Sequence, residues 1–310
     1  MKHKCLKTFL LLFAISLMTS CEKPTIEDEG GEETSMAQKD VIIRVADMDA
    51  GWDGDASRSQ VSISEVCNHL QFAVYQNDTR VASENQIIGD ADFGTFALQL
   101  EEGAYQLLVL GHSGAANIAT KKPEKLQFTN PGTINGTGFT DTFYYYGDMA
   151  VSSNGVRVDI DMKRATSMFR LKTNDGKPKK VKKFKFYYTG GSGVLDATTG
   201  LGCVDSKQTV FVTLDDSQTG KLLTFEMYTF LHQESDTVSF TVTAYDDQDS
   251  VLYEKAFKAP MRRNCITQYT GNFFTNDDGK TPDDGPSSNN PSSNVVYVDV
   301  EWDNIFEYTF

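Results

Sequence analysis

The sequence predicts an all-β protein made of two antiparallel β-sandwich domains in tandem. Three observations predict it: apolar and polar residues alternate with period two through most of the chain, the alternating runs are short, and clusters rich in Gly, Asn and Asp separate them. A half-buried antiparallel strand sends every second side chain into a core, so this pattern is what two packed sheets require. Of the 310 residues, about 290 remain after a leader is removed, enough for two domains that each bury a core.

The first element is that leader, residues 1–20. Lys2, Lys4 and Lys7 precede an apolar run from Phe9 to Met18, the order of a secretory signal. The run is far shorter than the ~20 residues a membrane-spanning helix needs. Leu17-Met18-Thr19-Ser20-Cys21 resembles the relaxed lipoprotein signal of Bacteroides-type bacteria, with Met18 where Leu is usual and Ser20 where Gly or Ala is usual. The resemblance implies cleavage before Cys21 and acylation of that cysteine, and two or more acyl chains hold a protein stably on a membrane. The other reading is ordinary secretion with Cys21 as a thiol. Residues 21–40 follow as an acidic tether carrying Glu22, Glu27, Asp28, Glu29, Glu32 and Glu33. Such a stretch buries little and repels itself. It resembles a surface-export signal and equally fits a plain linker.

The first sandwich is expected over 41–162. Val156, Val158, Ile160 and Met162 point one way while Arg157, Asp159 and Asp161 point the other. Residues 61–70 give the one hint of helix. The boundary falls near Met162-Lys163-Arg164, and the second sandwich occupies 163–310. Its alternations include Phe184 and Phe186, then Val238, Phe240, Val242 and Ala244, and finally Val296, Val298, Val300 and Trp302. Turns at Asn174-Asp175-Gly176, Gly190-Gly191-Ser192-Gly193 and Asp215 to Gly220 separate the strands. Residues 275–294, "TNDDGKTPDDGPSSNNPSSN", are low in complexity and expected to form a flexible loop reaching ~25 Å as a coil.

Charge narrows the partners. The net charge of −14 becomes −17 when the three lysines of the leader are lost, the wrong sign for nucleic acid or an anionic membrane surface. Beyond Cys5 and Cys21, the cysteines Cys67, Cys203 and Cys265 are few and widely spaced. They form neither a disulfide framework nor a metal knuckle, and leave one pairing or buried thiols.

Chemistry-bearing candidates are thin. "YQLLVLGHSGAA", Tyr105 to Ala116, approaches a nucleophile elbow at Ser113, but Gly114 and Ala115 reverse the required final pair and the βα context is missing. His69, His112 and His232 stand without i,i+4 partners, against zinc or histidine acid–base chemistry, and read as single core or surface histidines. Asp47, Asp49, Asp53 and Asp55, and later Asp277, Asp278, Asp283 and Asp284, depart from calcium-loop spacing and read as solvated loops. Trp52 and the run Tyr144-Tyr145-Tyr146 could stack on sugars, although alternation turns Tyr145 away from its neighbours. Asp236-Thr237-Val238 and Asp249-Ser250-Val251 resemble short O-glycosylation sites. No catalytic residue, metal or cofactor is expected, and the chain is not expected to be an enzyme.

Three further segments carry a family resemblance. "LEEGAYQLLVLG" (Leu100 to Gly111), "DMKRATSMFRLKT" (Asp161 to Thr173) and "APMRRNCITQYTGNFF" (Ala259 to Phe274) resemble, in order and spacing, segments of the fimbrillin-associated anchor lipoproteins of Bacteroides-type bacteria. Leu110 stands where that family commonly has tryptophan. The resemblance implies two transthyretin-like sandwiches, a lipid anchor in the outer membrane at Cys21, fimbrillin subunits as partners, and a role in holding a surface fimbria and influencing its assembly. Strand addition, by backbone hydrogen bonds and alternate side-chain pockets, is the physical route to such contact. Val296, Val298, Val300 and Trp302 are the candidate partner-binding strand. The same strand could instead complete its own domain. The rival function is a surface polysaccharide-binding lipoprotein, with a glycan as partner.

Overall fold

The computed structural model describes residues 37–45, 48–50, 59–114, 118–128, 140–275 and 302–310. The first half contains β1 (Lys39–Val45), β2 (Met48–Ala50), β3 (Ser59–Val61), the one-turn helix α1 (Ile63–Val66), β4 (His69–Gln76), β5 (Thr79–Ile87) and β6 (Thr95–Leu100). It continues with β7 (Gly103–His112), β8 (Leu126–Gln127), β9 (Thr142–Val151), β10 (Val156–Ile160) and β11 (Lys163–Arg164). The second half contains β12 (Ser167–Thr173), β13 (Lys183–Gly191), β14 (Val194–Asp196), β15 (Leu201–Gly202) and β16 (Ser206–Thr213). Last come β17 (Thr224–Thr229), β18 (Ser235–Tyr245), β19 (Val251–Arg262), β20 (Cys265–Gly271) and β21 (Asn304–Thr309). The hint of helix over 61–70 resolves to the four residues of α1, the single α-helix among the described residues.

In the first half, a three-stranded sheet β10-β1-β6 faces a five-stranded sheet β11-β9-β7-β4-β5. Alternation explains the packing: Val41, Ile43 and Val45 of β1 and Phe72 and Val74 of β4 point into a shared core with Leu107 and Val109 of β7. Each such side chain contributes roughly 1.5–3 kcal/mol on burial. The β4–β5 hairpin turns on Asn77 and Asp78, both at positive φ, as a two-residue type I′ turn requires. The Gly-x-Tyr of the quoted strand places the Tyr105 hydroxyl 3.0 Å from the Glu101 carbonyl, to which it donates. That bond pins the corner through which the chain enters β7.

In the second half, the sheets are β17-β12-β20-β21 and β16-β13-β18-β19. Phe184, Phe186 and Tyr188 of β13 and Val238, Phe240 and Val242 of β18 supply one side of its core, and Phe169 and Leu171 of β12 the other. Phe169 stacks on Phe240 at a centroid distance of 4.0 Å. Antiparallel pairing dominates, but among the described residues three pairings are parallel: β1 with β10, β12 with β20, and β20 with β21. Alternation alone is the same for both directions, so direction was not legible in it.

A third core joins the halves. The outward face of β4 and β7 carries Ala73, Tyr75, Leu108 and Leu110, which pack with Leu126 and Phe128 and, from the second half, with Leu195, Ala197 and Phe230. Phe128 meets Phe230 edge-on at 4.9 Å. The small sheet β15-β14-β8 links the same elements by backbone bonds. Both faces of β4 and β7 are therefore buried, and Leu107 to Leu110 read as a continuous apolar run for that reason. Residues Ala37–Phe310 form one compact unit.

Candidate functional site

The first two segments that drew attention after the strand of Gly103 and Tyr105 lie a hundred residues apart in sequence, and the fold brings them together. The Arg164 side chain, at the start of the second quoted segment, is 2% exposed. Its Nε donates to both oxygens of Asp141, at 2.8 and 2.9 Å, and its Nη2 to Oδ2 at 2.8 Å. Its Nη1 donates to Asn264 Oδ1 at 2.8 Å, in the third segment. Thr166 Oγ1 also donates to Asp141, at 2.7 Å. A buried guanidinium is tolerable only when its donors and charge are met in this way. Asn264 sits at positive φ in the tight turn between β19 and β20, a conformation that asparagine accepts more readily than most residues.

The C-terminal strand is tied to this hub. Asn264 Nδ2 donates to Asp303 Oδ1 at 2.8 Å, and the Asp303 amide donates to the Asn264 carbonyl at 2.6 Å. The Arg164 guanidinium carbon lies 4.0 Å from the Trp302 ring centroid and 4.6 Å from that of Phe143. From there β21 runs parallel to β20, from Asn304 beside Cys265 to Thr309 beside Thr270. Tyr308 stacks on Tyr269 at 4.9 Å and Phe310 meets Phe257 edge-on at 5.0 Å. No residue of β21 is buried, whereas six of the seven in β20 are. Next to the hub, burial opposes the charge of Arg263, but Glu234 and Tyr144 outweigh it and hold the guanidinium above its ordinary pKa.

Of the residues singled out in sequence, Trp302 is therefore at the hub. Val296, Val298, Val300 and Cys21 lie outside the described residues, as do Trp52, Asp47, Asp53, Asp55 and the later aspartates. Asp49 is described only as backbone of β2. Tyr144 and Tyr146 face the third core and Tyr145 the first-half core, the split that alternation implied. Ser113 directs its hydroxyl to the Val66 carbonyl at 3.5 Å. Asp236-Thr237-Val238 lies in β18, and Asp249-Ser250 forms the turn into β19.

Two expectations need correction. His69 and His112, expected singly, are directly opposite each other on β4 and β7 and stack at 5.2 Å with planes 6° apart. Cross-strand neighbours have no sequence spacing, which is why the pair was missed. Burial, and secondarily His69, pull the His112 pKa down to about 4. Its Nδ1 accepts the Gly114 amide at 3.1 Å, so the lone pair a proton would need is already engaged. Among the described residues no disulfide forms, and only Cys67 and Cys265 are buried; Cys203 is exposed, on the loop after β15. Burial pushes the Cys265 thiol up to about 11, which leaves it protonated and unreactive. Asp141 is the hub residue that sequence reasoning missed, since nothing in its spacing from Arg164 signals the pair.

The family model for Fimbrillin-A associated anchor proteins Mfa1 and Mfa2 matches residues 37–307. The chain belongs to this family. The match covers the body described above as far as Glu307, including the Arg164 hub and most of β21. Among solved structures, a candidate adhesin from Bacteroides ovatus is 13% identical with a TM-score of 0.48, over 78% of this chain and 88% of its own. The fimbrial anchor protein Mfa2 from Porphyromonas gingivalis is 11% identical with a TM-score of 0.41, over 71% and 82%. A fimbrial assembly protein from Parabacteroides distasonis is 11% identical with a TM-score of 0.39, over 78% and 93%. No curated protein matches the chain. For a member of an anchor family the manner of membrane attachment matters, and among the described residues no helix is long and apolar enough to cross a membrane.

Proposed function

We propose that this chain is an outer-membrane lipoprotein, acylated at Cys21, that holds a surface fimbria and influences its assembly without catalysing a reaction. Two sandwiches, 41–162 and 163–310, form the body that stands between the lipid and the fibre, and fimbrillin subunits are the partners. Contact is by strand addition through the C-terminal segment that includes Val296, Val298, Val300 and Trp302.

The observation that carries this reading is the contrast within one sheet: β21 is paired along its length to β20, yet buries none of its own residues. A strand held by backbone bonds and a few aromatic contacts can be exchanged at modest cost. Deleting residues 295–310 tests the reading. A folded chain that no longer captures purified fimbrillin supports it, whereas an unfolded product, or undiminished capture, sinks it. Mass spectrometry of the mature amino terminus tests the anchor separately, with an acylated Cys21 as the expected species.

A further inference from the structure

The sheet β16-β13-β18-β19 turns one face to the core and the other to solvent. Along β13, Phe184, Phe186 and Tyr188 point inward, so Lys183, Lys185 and Tyr187 point outward. Register places Phe211 of β16 beside Lys185 and Tyr245 of β18 beside Lys183. The Lys183 ammonium lies 5.4 Å from the Phe211 ring centroid and 5.3 Å from that of Tyr245, and Lys185 Nζ lies 5.9 Å from the Tyr187 centroid. Thr209 and Thr241 flank Tyr187 on its two sides. The result is a face with three partly buried rings, interleaved with ammonium groups and hydroxyls.

Its charge runs against the rest of the molecule. Lys207, Lys258 and Arg262 share the outward parity of Lys183 and Lys185, and the strands set only Glu254 against them on this face. Glu254 is engaged by the Thr243 hydroxyl at 2.8 Å, and Lys183 is met by Asp249 at the end of the sheet. This surplus of cations sits on a chain of net charge −14.

We propose that this face binds an anionic polysaccharide. Ring faces offer apolar area for the C–H faces of sugar rings, ammonium groups meet carboxylates with charge-assisted bonds, and the hydroxyl rows meet sugar hydroxyls. A protein partner fits less well. Protein interfaces centre on an apolar, desolvated core, and Val251, at the end of this sheet, is its one large aliphatic residue that is strongly exposed. The proposal concerns the sheet opposite the one that holds β21 and stands apart from the strand-addition reading.

The test uses the full chain in detergent, with polygalacturonate as probe and neutral dextran and poly-L-glutamate as comparisons, read by affinity electrophoresis. Polygalacturonate is expected to retard the chain, less so as salt is raised, and the other two polymers to have little effect. Replacing Tyr187→Ala and Phe211→Ala together should weaken retardation about tenfold. Lys185→Gln with Lys207→Gln, both outward and away from the core, should weaken it similarly and keeps the test sound if the aromatic variant misfolds. No retardation by polygalacturonate overturns the proposal. So does equal retardation by poly-L-glutamate, which would mean charge alone, or by dextran, or unchanged binding in the lysine variant.

Discussion

The seam between the two sandwiches and the C-terminal strand both join distant parts of the chain, but they are built from different material. The seam is a core: Tyr75, Leu110, Leu126, Leu195 and Phe230 are buried there from both halves. The strand β21 is a ladder of backbone bonds with no buried residue, fastened at one end by Trp302 over Arg164. Burial is what makes an attachment permanent, because removing apolar area from water is the dominant favourable contribution to folding. By that measure the sandwiches are fixed to each other while β21 is held, and the difference can be broken or sharpened by experiment.

The largest effect is expected at the seam. Phe230→Ala removes a side chain that is 0% exposed and should cost roughly 3–5 kcal/mol, with both halves unfolding in a single calorimetric transition. Two separate transitions would mean that the seam does not couple them. Acid should act through His112, near the same seam. Its folded pKa of about 4 lies below the ordinary 6.5, so between those values the unfolded chain binds a proton that the folded chain refuses. Stability should therefore fall as pH drops from about 6.5 to 4, by up to about 3 kcal/mol, and the loss should level off below. A His112→Gln variant should lose most of that slope in denaturant titrations across the range.

Smaller effects are expected at β21. Trp302→Ala removes the ring over Arg164 and should cost about 0.5–2 kcal/mol, read as faster hydrogen exchange in Ile305 to Thr309 with the seam amides unchanged. Equal acceleration in both regions would erase the contrast. Least of all, Phe306→Ala, at a side chain 37% exposed, should shift global stability by under about 0.5 kcal/mol in a thermal melt.

Much of the fold was legible because a sandwich strand advertises itself by period two. Val156, Val158 and Ile160 became β10, and Val238 to Ala244 became the inner face of β18. What alternation cannot carry is which strands are neighbours. The parallel docking of β21, the histidine stack and the Asp141 partner of Arg164 all join residues whose separation in sequence has no rule. The third core left a trace that could have been read, since Leu107 to Leu110 abandon alternation. The lysine–aromatic face was also latent in "KFKFY", where the same period that buries the phenylalanines exposes Lys183, Lys185 and Tyr187.

The directions of the outermost strands have a mechanical consequence. β1 begins at Lys39, beside the β9–β10 hairpin, at the end of the first sandwich away from the junction, as Gly155 packed against the Asp40 carbonyl attests. β21 runs parallel to β12, away from that junction, and finishes at the opposite extremity of the second sandwich. A pull on the end of β21 directed along its own axis would shear the β20–β21 ladder and load its rungs together instead of peeling them one at a time. A weakly buried strand placed in that orientation resists a steady pull far better than its sparse packing would indicate.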